Sequence, residues 1–215
     1  MAISINGNGI TSANIADGAI TNADIADVAA SKLTGALPAI SGAALTNLPG
    51  GGKVLQVVNT VIDATSSTTS TSYAASNLSL SITPTSATSK ILVMMDVSAS
   101  STRGSFTVFR LYRGVSGSYS ELTGASSTQS VSAHGTGVSG FMTTWYNPVD
   151  THQDNVAVSL SGKYLDSPST TSAVDYKLYW RSRSGSLSYI NRADSEGGDH
   201  NAHGVCTITL MEIGA

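Results

Sequence analysis

The chain has 215 residues, of which 40% are hydrophobic and 12% charged, with a formal net charge of −3. The charged share is about half that of a typical soluble domain. Apolar content at this level excludes a disordered chain, and the negative balance excludes a broad nucleic-acid surface. No stretch of 18 apolar residues occurs, so no membrane insertion is expected. The first residues, Met1 to Gly9, show neither a basic region nor a continuous apolar run, and the expectation is a protein made and folded in a cytoplasm. Cys206 is the single cysteine. It forms no intrachain disulfide and reads as a small buried apolar residue in a strand.

Residues 10–29 hold an internal repeat of ten, with Ile10, Ile15, Ile20 and Ile25 at a finer spacing of five. Five matches neither a strand period of two nor a helix period of 3.6. On a helix, successive Ile residues would fall ~140° apart and form no stripe. Asp17-Gly18 marks a bend, and short extended pieces broken by such bends return each Ile to one side. Burying one Ile contributes about 1.5–3 kcal/mol, whereas fixing five backbone units costs about 5–10 kcal/mol. A lone chain does not recover that cost, which argues for several chains around a common axis. The alternative is a tail that orders only on a partner. Leu-Thr then recurs at 33 and 45, and Leu-Pro at 37 and 48, before Gly50-Gly51-Gly52. The glycines read as a linker, and as no phosphate loop, because a strand follows them. The expected organisation is a repeat shaft and attachment segment over residues 1–49, a linker at 50–52 and a head at 53–215.

The run ITSANIADGAITNADIADVAASKLTG followed by LPAISGAALTNLPG resembles the N-terminal repeats of bacteriophage tail-fibre and other virion fibre proteins. The resemblance implies a homotrimer whose residues 1–52 attach to other virion proteins.

From residue 53 the pattern turns to short alternating runs separated by Ser, Thr and Gly. Strands are expected at 53–62, 78–82, 90–97, 106–113, 138–146, 156–165, 174–182, 187–191 and 204–213. In 90–97, Ile91, Val93, Met95 and Val97 share one face; Leu92 and Met94 lie on the other, so both faces are expected to be covered. In 204–213, Val205, Met211 and Ile213 oppose Cys206, Ile208 and Leu210. The second apolar face calls for a cover, and a neighbouring subunit or a loop supplies one. No sustained helical period is present. The expected fold is all-β: an extended N-terminal fibre, then a jelly-roll-like β-sandwich head, in a homotrimer. The runs SLSITPTSATSKILVMMDVSAS, YLDSPSTTSAVDYKLYWRSRSGSLSYINR and CTITLMEIGA resemble the C-terminal β-domain of phage structural proteins, especially those of marine and cyanobacterial phages. That resemblance implies a trimeric jelly-roll-like head in a virion.

Chemistry-bearing residues are sparse. Asp194, Glu196, Asp199, His200 and His203 crowd one polar loop. The three carboxylates suit calcium and the two histidines a transition metal. Their spacing matches neither an EF-hand nor a full zinc motif, so a solvated loop is the leading reading and no cofactor is expected. His152 and Asp154 lack a nucleophile motif, and the chain reads as non-enzymatic. Arg181 and Arg183, with Lys177, read as a solvated edge strand. Broad amphipathic rings suit a sugar or protein receptor, which makes Tyr119, Trp145, Tyr146 and Tyr189 the receptor candidates. Trp180 is a further candidate, with core packing the simpler reading for each. The expected function is a virion fibre protein whose head contacts a host-surface glycan or protein. A capsid or collar decoration fibre or adaptor, without receptor binding, is the alternative. A glycan-cleaving enzyme would need a carboxylate pair across a cleft, and no isolated pair stands out.

Overall fold

The computed structural model describes residues 52–102, 105–127, 140–144, 157–194 and 203–215. The Ile repeat of residues 10–29, with Ile10, Ile15, Ile20 and Ile25, lies outside the described residues, so the expected fibre does too.

Eleven strands are described: β1 (Val54–Ile62), β2 (Ser66–Thr68), β3 (Ala74–Ile82), β4 (Lys90–Ser101), β5 (Thr107–Val115), β6 (Ser118–Glu121), β7 (Met142–Thr143), β8 (Val158–Asp166), β9 (Val174–Ser182), β10 (Ser188–Ile190) and β11 (Cys206–Ile213). They form two antiparallel sheets, which makes the described chain all-β with the architecture of a sandwich. In sheet one, β4 pairs β11 over Lys90 to Asp96 and β8 over Ile91 to Ala99. The two partners use the same residues, so they occupy opposite edges. β10 continues the line of β11 along Ala99 to Ser101, β1 pairs β11, and β2 pairs β10. In sheet two, β9 lies between β3 and β5. The free edge of β5 takes β6 along Tyr112 to Val115 and β7 at Val108 and Phe109.

Alternation explains the core. Ile91, Val93, Met95 and Val97 of β4, with Ile208 and Leu210 of β11, face Phe109 and Leu111 of β5 and Tyr176, Leu178 and Trp180 of β9; all are buried. Phe109 and Trp180 stack at 6.0 Å. Each such side chain contributes about 1.5–3 kcal/mol on burial. The β5–β6 turn has two central residues, Ser116 and Gly117, both at positive φ (52° and 83°). That backbone matches the twist of a two-residue hairpin, and Gly117 adopts it without strain.

Two buried carboxylates join elements at the sandwich rim. Asp166 on β8 takes both oxygens to Nη1 of Arg113 at 3.0 Å and accepts the Tyr176 hydroxyl at 2.7 Å, linking the sheets. Burial, reinforced by Asp166, raises the Tyr176 pKa. Glu212 on β11 accepts from Gln56 Nε2 at 2.6 Å and from Thr85 N and Oγ1 at 2.8 and 2.7 Å. Burial alone would raise its pKa. The bonds from Gln56 and Thr85 outweigh that and bring it down to about 2.

Several expectations need correction. β9 is an interior strand, so Arg181 is not on an edge. Leu92 and Met94 are only partly buried, whereas Ser98 and Ser100 further along the same face are buried, so among the described residues the second face of β4 is covered only toward its C-terminal end. β4 runs four residues further than expected, because β10 and β8 pair its polar end. β2 and β6 were absent from the expected strands. β2 is all Ser and Thr, and β6 carries no apolar alternation, so pairing alone defines them. Of residues 138–146, the described part holds strand only at Met142–Thr143.

The Glu212 carboxyl titrates near 4.5 when unfolded and near 2 when folded. Its contribution is therefore complete above pH ~5 and is lost as pH falls toward 2, a change of about 3 kcal/mol. Urea unfolding across pH 5 to 2 should show this loss, and Glu212→Gln should flatten that part of the profile.

Candidate functional site

The outer face of sheet two gathers aromatic and charged side chains. β9 alternates Val174, Tyr176, Leu178 and Trp180 inward with Asp175, Lys177, Tyr179 and Arg181 outward. Cross-strand register then sets the neighbours. Lys177 stands opposite Tyr112, and Tyr112 opposite Glu121; Asp175 stands opposite Gly114, and Gly114 opposite Tyr119; Tyr179 stands opposite Arg110. Directly opposite and diagonal side chains on one face are in reach of one another.

These neighbours form one connected layer. The rings of Tyr112 and Tyr179 stack at 4.0 Å, and Tyr119 tilts against Tyr179 at 6.1 Å. Arg110 lies 4.3 Å and Arg181 5.2 Å over the ring of Tyr73. Arg110 Nη1 bonds Glu121 Oε2 at 2.8 Å. The Tyr119 hydroxyl donates to Asp175 Oδ2 at 2.6 Å and accepts from Lys177 Nζ at 3.1 Å. Ser81 Oγ donates to Asp175 Oδ1 at 2.9 Å. The bond to Tyr119 raises the Lys177 pKa, with Asp175 adding to it against a burial effect of the opposite sign. Burial, followed by the charge of Glu121, raises that of Tyr112.

Gly114 explains how Tyr119 reaches Asp175. The Tyr119 ring runs from β6 across β5 at Gly114 to β9. A Cβ at that position would lie 2.6 Å from ring atom Cε1. The result is an aromatic layer, with Tyr119 tilted 53° against Tyr179, bordered by carboxylates, an ammonium and guanidinium groups. Aromatic faces beside polar groups have the chemistry to stack on the apolar face of a sugar ring. Glu121 and Asp175 are each engaged with a cation or a hydroxyl donor.

The sequence candidates fall in different places. Tyr119 belongs to this layer. Tyr189 is buried in β10, with Arg192 4.4 Å over its ring, and offers no open face. Trp180 is in the core. Trp145 and Tyr146, like His152 and Asp154, lie outside the described residues. His203 forms an isolated antiparallel bridge with Arg192, two residues before Asp194; Glu196, Asp199 and His200 lie outside the described residues. Among the described residues, no three of His, Cys, Asp and Glu come together to hold a metal ion. Cys206 is buried; its thiol donates to Asn191 Oδ1 at 2.9 Å, and burial pushes its pKa up to about 11. Sequence reading missed Tyr73, Arg110, Tyr112 and Tyr179. The alternation of Asp175, Lys177, Tyr179 and Arg181 against an apolar face was the signal that could have found Tyr179.

No family model matches the chain, and no curated protein matches it.

Replacing Gly114 by Ala should push the Tyr119 ring off β5 and break its bond to Asp175. Overpacking of this kind costs about 1–3 kcal/mol. A lower melting temperature, with the far-ultraviolet dichroism of the strands retained, is the expected result.

Proposed function

We propose that the chain is a structural fibre protein of a bacteriophage virion, non-enzymatic and homotrimeric. Residues 1–52 dock to other virion proteins, and the jelly-roll-like head contacts a host-surface glycan. The observation that carries this reading is the chemical difference between the outer faces of one sandwich. Sheet two presents the tyrosine, arginine and carboxylate layer, whereas sheet one presents a row of apolar side chains beside threonine, asparagine, serine and a few charged ones. Such a head has one side suited to recognition and another suited to assembly.

Strand order supports the jelly-roll reading. Counting the eight principal strands in chain order, sheet one runs first, eighth, third, sixth, and sheet two runs second, seventh, fourth, fifth. Two interleaved Greek keys of this kind make a jelly roll. The N-terminal repeat and its resemblance to virion fibres support the attachment role. Weak contacts at each head gain strength from several copies per fibre.

One observation favours the decoration fibre without receptor binding. The charges of the layer already bond one another, as in the Arg110–Glu121 and Lys177–Asp175 pairs, and a purely structural surface would be satisfied in this way. The two readings separate on an array of bacterial surface polysaccharides probed with the labelled full-length chain. Receptor binding predicts capture that weakens about thirtyfold in a Tyr112→Ala/Tyr179→Ala variant, equivalent to ~2 kcal/mol for an aromatic contact. No signal for either protein favours the decoration fibre, and equal signal for both places the glycan contact away from the tyrosine layer.

A further inference from the structure

The outer face of sheet one holds an apolar row that is only partly buried among the described residues of the head. Val57 of β1 pairs Met211 of β11, Met211 pairs Leu92 of β4, and Leu92 pairs Leu165 of β8. Four apolar side chains therefore lie side by side across four strands, a line ~14 Å long at the usual strand spacing. Val54 and Ile213 pair beside one end of this row, and Met94 follows Leu92 on the same face. Seven large apolar side chains are exposed among the described residues. Six of them, Val54, Leu55, Val57, Val61, Leu165 and Val205, belong to β1, to β8 or to the residue preceding β11. Single exposed apolar residues are ordinary on a soluble surface, whereas a contiguous set marks an interface.

We infer that this face is buried against other copies of the same chain. The inference rests on the self-association in the function proposed above and names the surface that carries it. The path of the chain selects the occupant. Gly52 N bonds Gly214 O at 3.0 Å, and Gly214 N bonds Lys53 O at 2.8 Å. Residues 1–51 therefore join the head at the end of sheet one where Val54 and Ile213 pair, one step from the row. Those residues carry the Ile repeat that a single chain cannot bury. Chains that associate through it hold their heads together at an effective concentration of about a millimolar, with this end of the sheet nearest the tether. Lys90, Lys163 and Asp96 are exposed on the same face. Both signs are present, so one copy meets another without a single-sign repulsion.

The test compares the full-length protein with a Val57→Asp/Leu165→Asp variant by mass photometry over a dilution series, with thermal unfolding followed by circular dichroism. Both positions are about half exposed in the head, at 51% and 48%, so the fold itself tolerates the charges. The expected result is an oligomer for the natural protein, with a dissociation midpoint about a hundredfold higher in the variant. An unchanged midpoint overturns the inference while leaving self-association intact. A natural protein that is monomeric throughout overturns self-association and this inference together. If the variant then also melts at a lower temperature, the occupant is residues 33–49 of the same chain. If the carboxylates prevent folding, Val57→Thr/Leu165→Thr keeps the strands' β-propensity and is read on the same scale.

Discussion

The head depends on the pairing of β4. Its twelve residues bond β11 and then β10 along one edge and β8 along the other. A strand paired on both edges has a single register, because a slip of one residue would turn Ile91, Val93, Met95 and Val97 out of the core. Both Greek keys converge on this strand and on β9, its counterpart in sheet two. Asp166 at the end of β8 then ties the sheets through Arg113 and Tyr176, and Glu212 fastens β11 to β1 and to the turn after β3.

Once register is set, alternation decides what each outer face displays. The partners of β4 bring Met211 and Leu165 beside Leu92, and β1 extends the row with Val57. In sheet two, β5 brings Tyr112 beside Lys177 and Tyr179 of β9, and β6 reaches Tyr119 across β5 to them. The same geometric rule therefore yields an apolar row on one side and an aromatic, charged layer on the other. The division of labour in the proposed function follows from that contrast.

Much of the head was legible in the sequence. The span of β9 was readable to the residue, since Val174 to Ser182 alternates cleanly and is bounded by a Ser/Thr run before it and by Ser and Gly after it. The inward set of β4 and both faces of β11 were readable for the same reason. β2 and β6 were not. A three-residue Ser/Thr strand has no hydrophobic period, and β6 exists because a tight turn at Ser116-Gly117 folds it onto β5. The tyrosine layer was only partly legible. Alternation assigns Arg110 and Tyr112 to one face, but which residue of β9 or β6 stands beside them depends on register between strands distant in sequence. The crossing of Tyr119 over Gly114 is a three-dimensional fact of the same kind. Tyr189 shows the converse: offered as a receptor candidate with packing as the simpler reading, it is buried in β10 under Arg192.

Hydroxyl-radical footprinting of the assembled full-length protein, read by mass spectrometry, tests the opposition of the two faces most directly. Thioethers are readily oxidised when solvent reaches them, and the buried Met95 supplies an internal reference. The account predicts that Met94 and Met211 are as protected as Met95, while Tyr112, Tyr119 and Tyr179 are modified. Free oxidation of Met94 and Met211, with protection of the three tyrosines, would contradict it.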